Sequence, residues 1–216
     1  PAYPMGDLEI EYEARDFLQP SEILSMECSR GCIFQCKFCS YPILGVREDH
    51  TRNDTNFLLN LKSNYDKWGV KIYNIVDETF NDYTEKIIRY ADQVEMLDFQ
   101  PEFLGYIRAD LLAARPGDIE HLSRMGMSSH YYGIESFNHQ SAKAIGKGGN
   151  PEKIKETLLE TKKFFLKNNN FYKATVSLIA GLPHETEETF ADGMSWIDKN
   201  WRNEGLLVNN LLIPAD

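Results

Sequence analysis

Short apolar or β-branched runs alternate along this chain with segments whose apolar residues recur at helical spacing. The runs Ile23 to Glu27, Lys71 to Val76, Glu102 to Ile107, Ser128 to Ile134, Tyr172 to Ile179 and Leu206 to Leu212 are short, β-favouring and bounded by turn formers, so they predict six strands. Between them, Phe57, Leu58, Leu61, Tyr65 and Trp68 predict one helix, Ile87, Ile88, Ala91 and Val94 a second, and Ile119, Leu122 and Met125 a third. Asn150 before Pro151 is a cap and first-turn pair for a fourth, with Ile154, Leu158 and Phe165 on one face. Thr186 opens a fifth, with acids in its first turn and Phe190, Met194, Ile197 and Trp201 on one side.

Strands alternating with helices are the pattern of βα units that build a parallel sheet. Six such units fall short of the eight that close a barrel, so the predicted fold is α/β, an open partial (β/α)6 barrel with parallel strands; a doubly wound sheet is the runner-up. Both architectures hold ligands at the C-terminal ends of their strands. Residues 1–20 are expected to be an extension packing on a barrel core of residues 21–216. The chain starts with Pro1 and stops just after the sixth strand, so the expectation is a piece of a longer chain, cut short at its C-terminal end.

Composition narrows the class. With 42% hydrophobic and 26% charged residues the chain is ordinary for a globular protein, and no apolar run has the length of a membrane span. The first residues have neither the basic start nor the apolar middle of a secretory signal, which predicts a cytoplasmic protein. Asn53-Asp54-Thr55 is then a helix-start cluster rather than a glycosylation site. A net charge of −10 argues against a nucleic-acid partner.

The candidate chemistry is concentrated in "ECSRGCIFQCKFCSYP", which holds all four cysteines, Cys28, Cys32, Cys36 and Cys39. A disulfide framework would spread them along the chain. A zinc site, an iron–sulfur cluster and a redox pair remain. Zinc usually takes two pairs from separated segments, and a Cys36–Cys39 redox pair would leave Cys32 unexplained. Cys32, Cys36 and Cys39 can present three soft thiolates from one loop, which suits a cluster. The loop follows the first strand, at the ligand end of the barrel.

Cys32-x3-Cys36-x2-Cys39, with Phe38 before the last cysteine, resembles the cluster motif of the radical S-adenosylmethionine superfamily. "IVDETFND", "GYIRADLL", "YGIESFN", "IGKG" and "LIAGLPHET" follow in the order and spacing of its cobalamin-associated and methylthiotransferase-like branch. The resemblance implies a 4Fe–4S cluster held by three cysteines, with the fourth iron open to S-adenosylmethionine. Reductive cleavage of that cofactor would yield a 5′-deoxyadenosyl radical that abstracts hydrogen from a small-molecule or peptide substrate, the electron coming from a partner such as flavodoxin or ferredoxin. Cobalamin-dependent methyl transfer is the alternative, and cobalamin would need a further domain. A non-catalytic iron–sulfur protein for electron transfer or sensing is another.

The same resemblance assigns cofactor contacts. Asp77 and Glu78 would meet the ammonium group, Arg108 the carboxylate, and Glu135 and Ser136 the ribose or sulfonium side; Phe38 and Gly181 would lie against the nucleotide, Gly181 by close backbone approach. Lys147 could neutralise a carboxylate at the barrel mouth. Plainer roles compete: turn acids for Asp77 and Glu78, an ion pair to Asp77, Glu78 or Glu135 for Arg108, and a solvated side chain for Lys147. Cys28 is expected to be a half-buried thiol at the end of the first strand, not a fourth ligand. His130, His139 and His184 lack metal-ligand pairing.

Overall fold

The computed structural model describes residues 10–41, 47–169 and 171–201, together with the backbone of 207–212. Its strands are β1 (Ile23–Met26), β2 (Ser29–Arg30), β3 (His50–Thr51), β4 (Ile72–Ile75), β5 (Glu102–Ile107), β6 (Met127–Glu135), β7 (Lys173–Ala180) and β8 (Leu207–Leu212). The helices are α1 (Asp54–Trp68), α2 (Thr84–Val94), α3 (Ala109–Ala114), α4 (Asp118–Met125), α5 (His139–Ala144), α6 (Pro151–Asn169) and α7 (Glu187–Trp201). Six strands form one sheet in the order β1-β4-β5-β6-β7-β8, every pairing parallel. β2 and β3 make a separate antiparallel ribbon beside the cysteine loop.

The expected six strands are all present, with ends within a residue or so; Leu206 lies outside the described residues. The structure adds the β2–β3 ribbon and the six-residue helices α3 and α5, which the hydrophobic pattern did not reveal. Asn53 caps α1 by accepting from Thr55 N at 2.8 Å, the role expected of the sequon. Asn150 caps α6 in the same way, accepting from Glu152 N at 2.9 Å. Residues 1–9 of the N-terminal extension lie outside the described residues, whereas Tyr12 and Leu18 pack against the core.

The two faces of the sheet differ, because side chains alternate along each strand. One face, with Leu24, Met26, Tyr73, Ile75, Phe103, Ile107, Val176 and Leu178, is buried under helix residues such as Phe57, Leu61, Ile87, Leu122, Leu158, Phe165 and Ile197. Each fully buried large apolar side chain contributes about 1.5–3 kcal/mol, so this layer supplies most of the stability. The opposite face stays open: Ile23, Val76 and Tyr106 are 56%, 43% and 52% exposed. Glycine is required where α4 turns into β6: Gly126 has φ 86°, and a Cβ there would sit 2.3 Å from the Pro101 carbonyl.

A buried polar network sits where β1, the β2–β3 ribbon, β4 and α2 meet. The Lys86 ammonium lies 2.5 Å from Asp82, 3.4 Å from Asp49 and 4.0 Å from Asp77, and donates to Ser29 Oγ at 3.0 Å and the Thr79 carbonyl at 3.3 Å. Burial alone would lower its pKa, but the three carboxylates more than offset that, and it is raised.

Candidate functional site

The open face and the loops at the strand C-termini enclose a cavity of about 590 Å³. Its mouth is lined by Cys32, Cys36 and Cys39 with Phe34, Phe38 and Tyr41; its walls by Glu78, Thr79, Arg108, Glu135 and Lys147; its floor by Tyr106, Tyr131, Ser177 and Ile179. Strand alternation explains part of the set, since Tyr106 and Arg108, and likewise Tyr131 and Gly133, lie two residues apart on one face; Ile107 and Tyr132, from the alternate positions, also reach the cavity.

All three cysteines are free and half-buried. The Cys36 Sγ accepts from Arg108 Nη1 at 3.4 Å, the Cys39 Sγ from the Tyr41 amide at 3.4 Å, and the Cys32 Sγ is 3.9 Å from the Thr79 hydroxyl. The loop is pinned by Lys37 N donating to the Ile145 carbonyl at 2.8 Å. Among the described residues the thiols are not drawn together around one metal ion. Three free thiols on the wall of one cavity, with no fourth beside them, nevertheless form a donor set that suits a cluster with one open iron. Cys28 is fully buried instead: its amide donates to Asp77, its carbonyl accepts from the Tyr90 hydroxyl at 2.7 Å, and burial pushes its thiol pKa up.

Arg108 is held from both sides. Asn81 brackets its backbone, accepting from Arg108 N at 2.8 Å and donating to the Arg108 carbonyl at 3.0 Å. Its guanidinium grips Asp110 through Nε at 3.0 Å and Nη2 at 2.6 Å, and stacks 3.8 Å from the Phe34 ring centre. Burial pulls its pKa down, yet Asp110 and the Cys36 sulfur more than offset this, and it is raised. The ion-pair partner is therefore Asp110, not Asp77, Glu78 or Glu135.

Glu135 ends β6 in the left-handed region, φ 64°, where the β6–β7 register shifts. That conformation turns its carboxylate to Lys147, 3.3 Å away, and Lys147 also donates to the Gly133 carbonyl. A Cβ on Gly133 would sit 2.6 Å from the Glu135 carboxylate, so glycine makes room for the pair. Burial raises the Glu135 pKa, which Lys147 and then Arg108 partly oppose, and burial also raises that of Glu78.

Of the expected cofactor residues, Phe38, Glu78, Arg108 and Glu135 line the cavity with the three cysteines. Asp77, Ser136 and Gly181 do not. Asp77 is on the helix-facing side of its strand, where it accepts from the Cys28 amide at 2.8 Å and the Ser29 hydroxyl at 2.7 Å; burial raises its pKa to about 6. Ser136 donates to Glu185 and accepts from the Asn138 amide at 2.9 Å, and Gly181, φ 88°, is exposed in the turn after β7. Phe34, Thr79, Tyr41, Tyr106 and Asp110 were missed, although the period-2 spacing of Tyr106 from Arg108 was available. Lys147 is no solvated lysine. His130 is buried among Tyr132, Tyr172 and the Met127 carbonyl, away from the cavity.

The sequence profile of the Radical SAM superfamily matches residues 26–197. The chain belongs to the radical S-adenosylmethionine superfamily. That family uses a 4Fe–4S cluster and S-adenosylmethionine, which agrees with the expected cofactors. This radical S-adenosylmethionine chain is 25% identical, over 160 residues, to an uncharacterised methyltransferase of Pyrococcus horikoshii, covering 74% of this chain and 33% of the relative. It is 24% identical over 159 residues to an anaerobic magnesium-protoporphyrin IX monomethyl ester cyclase of Synechocystis, covering 72% and 31%. The radical S-adenosylmethionine methyltransferase TsrM from Kitasatospora setae, solved with cobalamin and a [4Fe-4S] cluster, has the same fold, with a TM-score of 0.68 at 13% identity, covering 96% of this chain and 39% of that one. The chain thus spans about a third of the curated relatives it matches. Among the described residues no helix is long and apolar enough to cross a membrane.

Proposed function

We propose that this chain is the catalytic barrel of an enzyme that cleaves S-adenosylmethionine reductively and uses the resulting radical to take hydrogen from a small-molecule or peptide substrate. The observation that carries it is the meeting of three free cysteines with Glu78, Arg108, Glu135 and Lys147 in one cavity at the strand C-termini. When bound, the 4Fe–4S cluster supplies the electron that breaks the carbon–sulfur bond of S-adenosylmethionine, giving methionine and a 5′-deoxyadenosyl radical. Cys32, Cys36 and Cys39 would hold the cluster, and their number leaves one iron for the cofactor. Glu78, on the cavity wall, would accept from the cofactor ammonium, the role first expected of Asp77 as well. The Glu135–Lys147 pair offers a polar wall to the ribose or carboxylate, while Tyr106, Tyr131 and Ile179 offer an aromatic and apolar floor beneath it.

Residues 21–216 serve as the barrel and residues 1–20 as an extension of it. A reducing partner such as flavodoxin or ferredoxin delivers the electron, and reduced, unpaired cysteines suit the cytoplasm. A second reading, methyl transfer with cobalamin held by a further domain, is favoured by the methyltransferase relative and by the cobalamin-bound structural neighbour. A purely electron-carrying role is disfavoured by a cavity this large beside the cysteines.

The test is anaerobic reconstitution with iron and sulfide, reduction with dithionite, and chromatographic detection of 5′-deoxyadenosine and methionine after adding S-adenosylmethionine. Both products should form, and Cys36→Ala should abolish them. A fully loaded cluster that yields neither product would overturn the proposal. Transfer of labelled methyl to cobalamin would favour the second reading.

A further inference from the structure

Arg108 is more elaborately held than a residue that only meets a ligand needs to be. Its backbone is clamped on both polar atoms by Asn81, its guanidinium face lies on Phe34, and its Nε–Nη2 edge is engaged by Asp110. That edge is one that would otherwise grip a carboxylate bidentately. The Nη1 nitrogen is thereby aimed at a fixed point, and at that point, 3.4 Å away, lies the sulfur of Cys36. The other two cysteines receive weaker partners, a neutral backbone amide at Cys39 and a neutral hydroxyl at Cys32. Among the described contacts to the three sulfurs, only Cys36 meets a full positive charge.

We propose that Arg108 is a positioning residue that raises the reduction potential of the cluster through its N–H···S contact with Cys36. The proposal rests on the reading of Cys32, Cys36 and Cys39 as cluster ligands. Hydrogen bonds to ligand sulfurs and nearby charge are among the levers that set such potentials. Reduction adds one electron, hence one negative charge, to the site, and a cation fixed against a ligand sulfur stabilises that added charge. Since Arg108 is only 8% exposed, the effect is less screened than at a surface. The electron comes from the reducing partner, and no bond at Arg108 forms or breaks. Asp110 enters with the opposite sign: its carboxylate compensates part of the guanidinium charge that Cys36 feels.

The experiment is an anaerobic redox titration of the reconstituted chain without S-adenosylmethionine, following the reduced cluster by electron paramagnetic resonance, after iron and sulfide content have been measured. Arg108→Gln is expected to load iron and to show a reduced-to-oxidised ratio at least tenfold lower at fixed poise, equal to a midpoint about 59 mV more negative for one electron. Asp110→Asn is expected to move the midpoint the other way. A loaded Arg108→Gln protein with the wild-type midpoint overturns the proposal. If Arg108→Gln takes up no iron, Asp110→Asn decides: an upward shift supports the proposal, and an unchanged midpoint overturns it. A wild-type chain that binds no iron and sulfide would overturn the cluster reading itself, and this proposal with it, an outcome distinct from a loaded cluster of unaltered potential.

Discussion

Replacing Lys86 by Met tests how the cysteine loop is fastened to the barrel. The Lys86 side chain is 3% exposed, those of Asp49, Asp77 and Asp82 are 5%, 1% and 3% exposed, and the ammonium also bridges Ser29 to the Thr79 carbonyl. Methionine matches the length of lysine and removes its charge, which strands three buried carboxylates against one another. Breaking a buried ion pair by deleting one partner costs about 3–5 kcal/mol, a large part of the roughly 5–15 kcal/mol that holds a domain folded. In urea unfolding of the metal-free chain, followed by tryptophan fluorescence, an m-value near 3 kcal/mol per M turns that loss into a midpoint lower by about 1–2 M. The loss must also depend on pH. Asp77 already titrates near 6 in the fold, above its ordinary 3.8, and without Lys86, whose charge opposes that rise, it would titrate higher still. The folded state then binds more protons than the unfolded state between these values, so stability recovers as pH falls from 7.5 to 5. A loss below about 1 kcal/mol, or an equal loss at both pH values, would refute the argument that Lys86 compensates buried charge.

His130→Gln should remove a slice of acid sensitivity. Burial holds the His130 pKa at about 4, below its ordinary 6.5, so the unfolded chain binds the extra proton and stability falls as pH drops through that window. The part due to His130 between pH 7 and 5 is about 2 kcal/mol, and urea midpoints of the two proteins at both pH values should differ in slope by that amount. Gly126→Ala, forced into φ 86° against the Pro101 carbonyl, should lower stability by upwards of about 2 kcal/mol in the same assay. Cys28→Ser should leave iron uptake at the wild-type level, since Cys28 does not line the cavity; a loss matching that of Cys36→Ser would show otherwise.

The larger architecture was legible because each main strand and helix is long enough for its period to declare itself. β5 was expected at Glu102–Ile107 and lies there, while α3 and α5, six residues each, are too short for a 3.6-residue stripe to stand out. The cysteine loop was legible for another reason: its spacing along the chain is nearly its spacing in space. Asp77 shows where this stopped. Strand alternation puts Val76 and Glu78 on the open face and Asp77 on the other, a parity that the pairing of the two acids in "VDET" obscured. Lys86, Asp49 and Asp82 were not legible at all, because charged residues in a helix and loops read as solvated until the ribbon and α2 are folded over them.

The Asn81 clamp bears on how the site breathes. The last register pair between β4 and β5 is Ile75 with Gly105, yet Phe80 N still donates to the Tyr106 carbonyl at 3.1 Å, and the buried Asn81 amide exchanges two hydrogen bonds with Arg108 as a peptide unit would. A side chain thus counterfeits one more rung of the ladder after the strand has ended. The amide hydrogen of Arg108, just past the end of β5, is buried and hydrogen-bonded as one inside the sheet would be, so its exchange is expected to follow unzipping of β5 rather than loop fluctuation. The cavity wall nearest Cys36 therefore inherits the stiffness of the core.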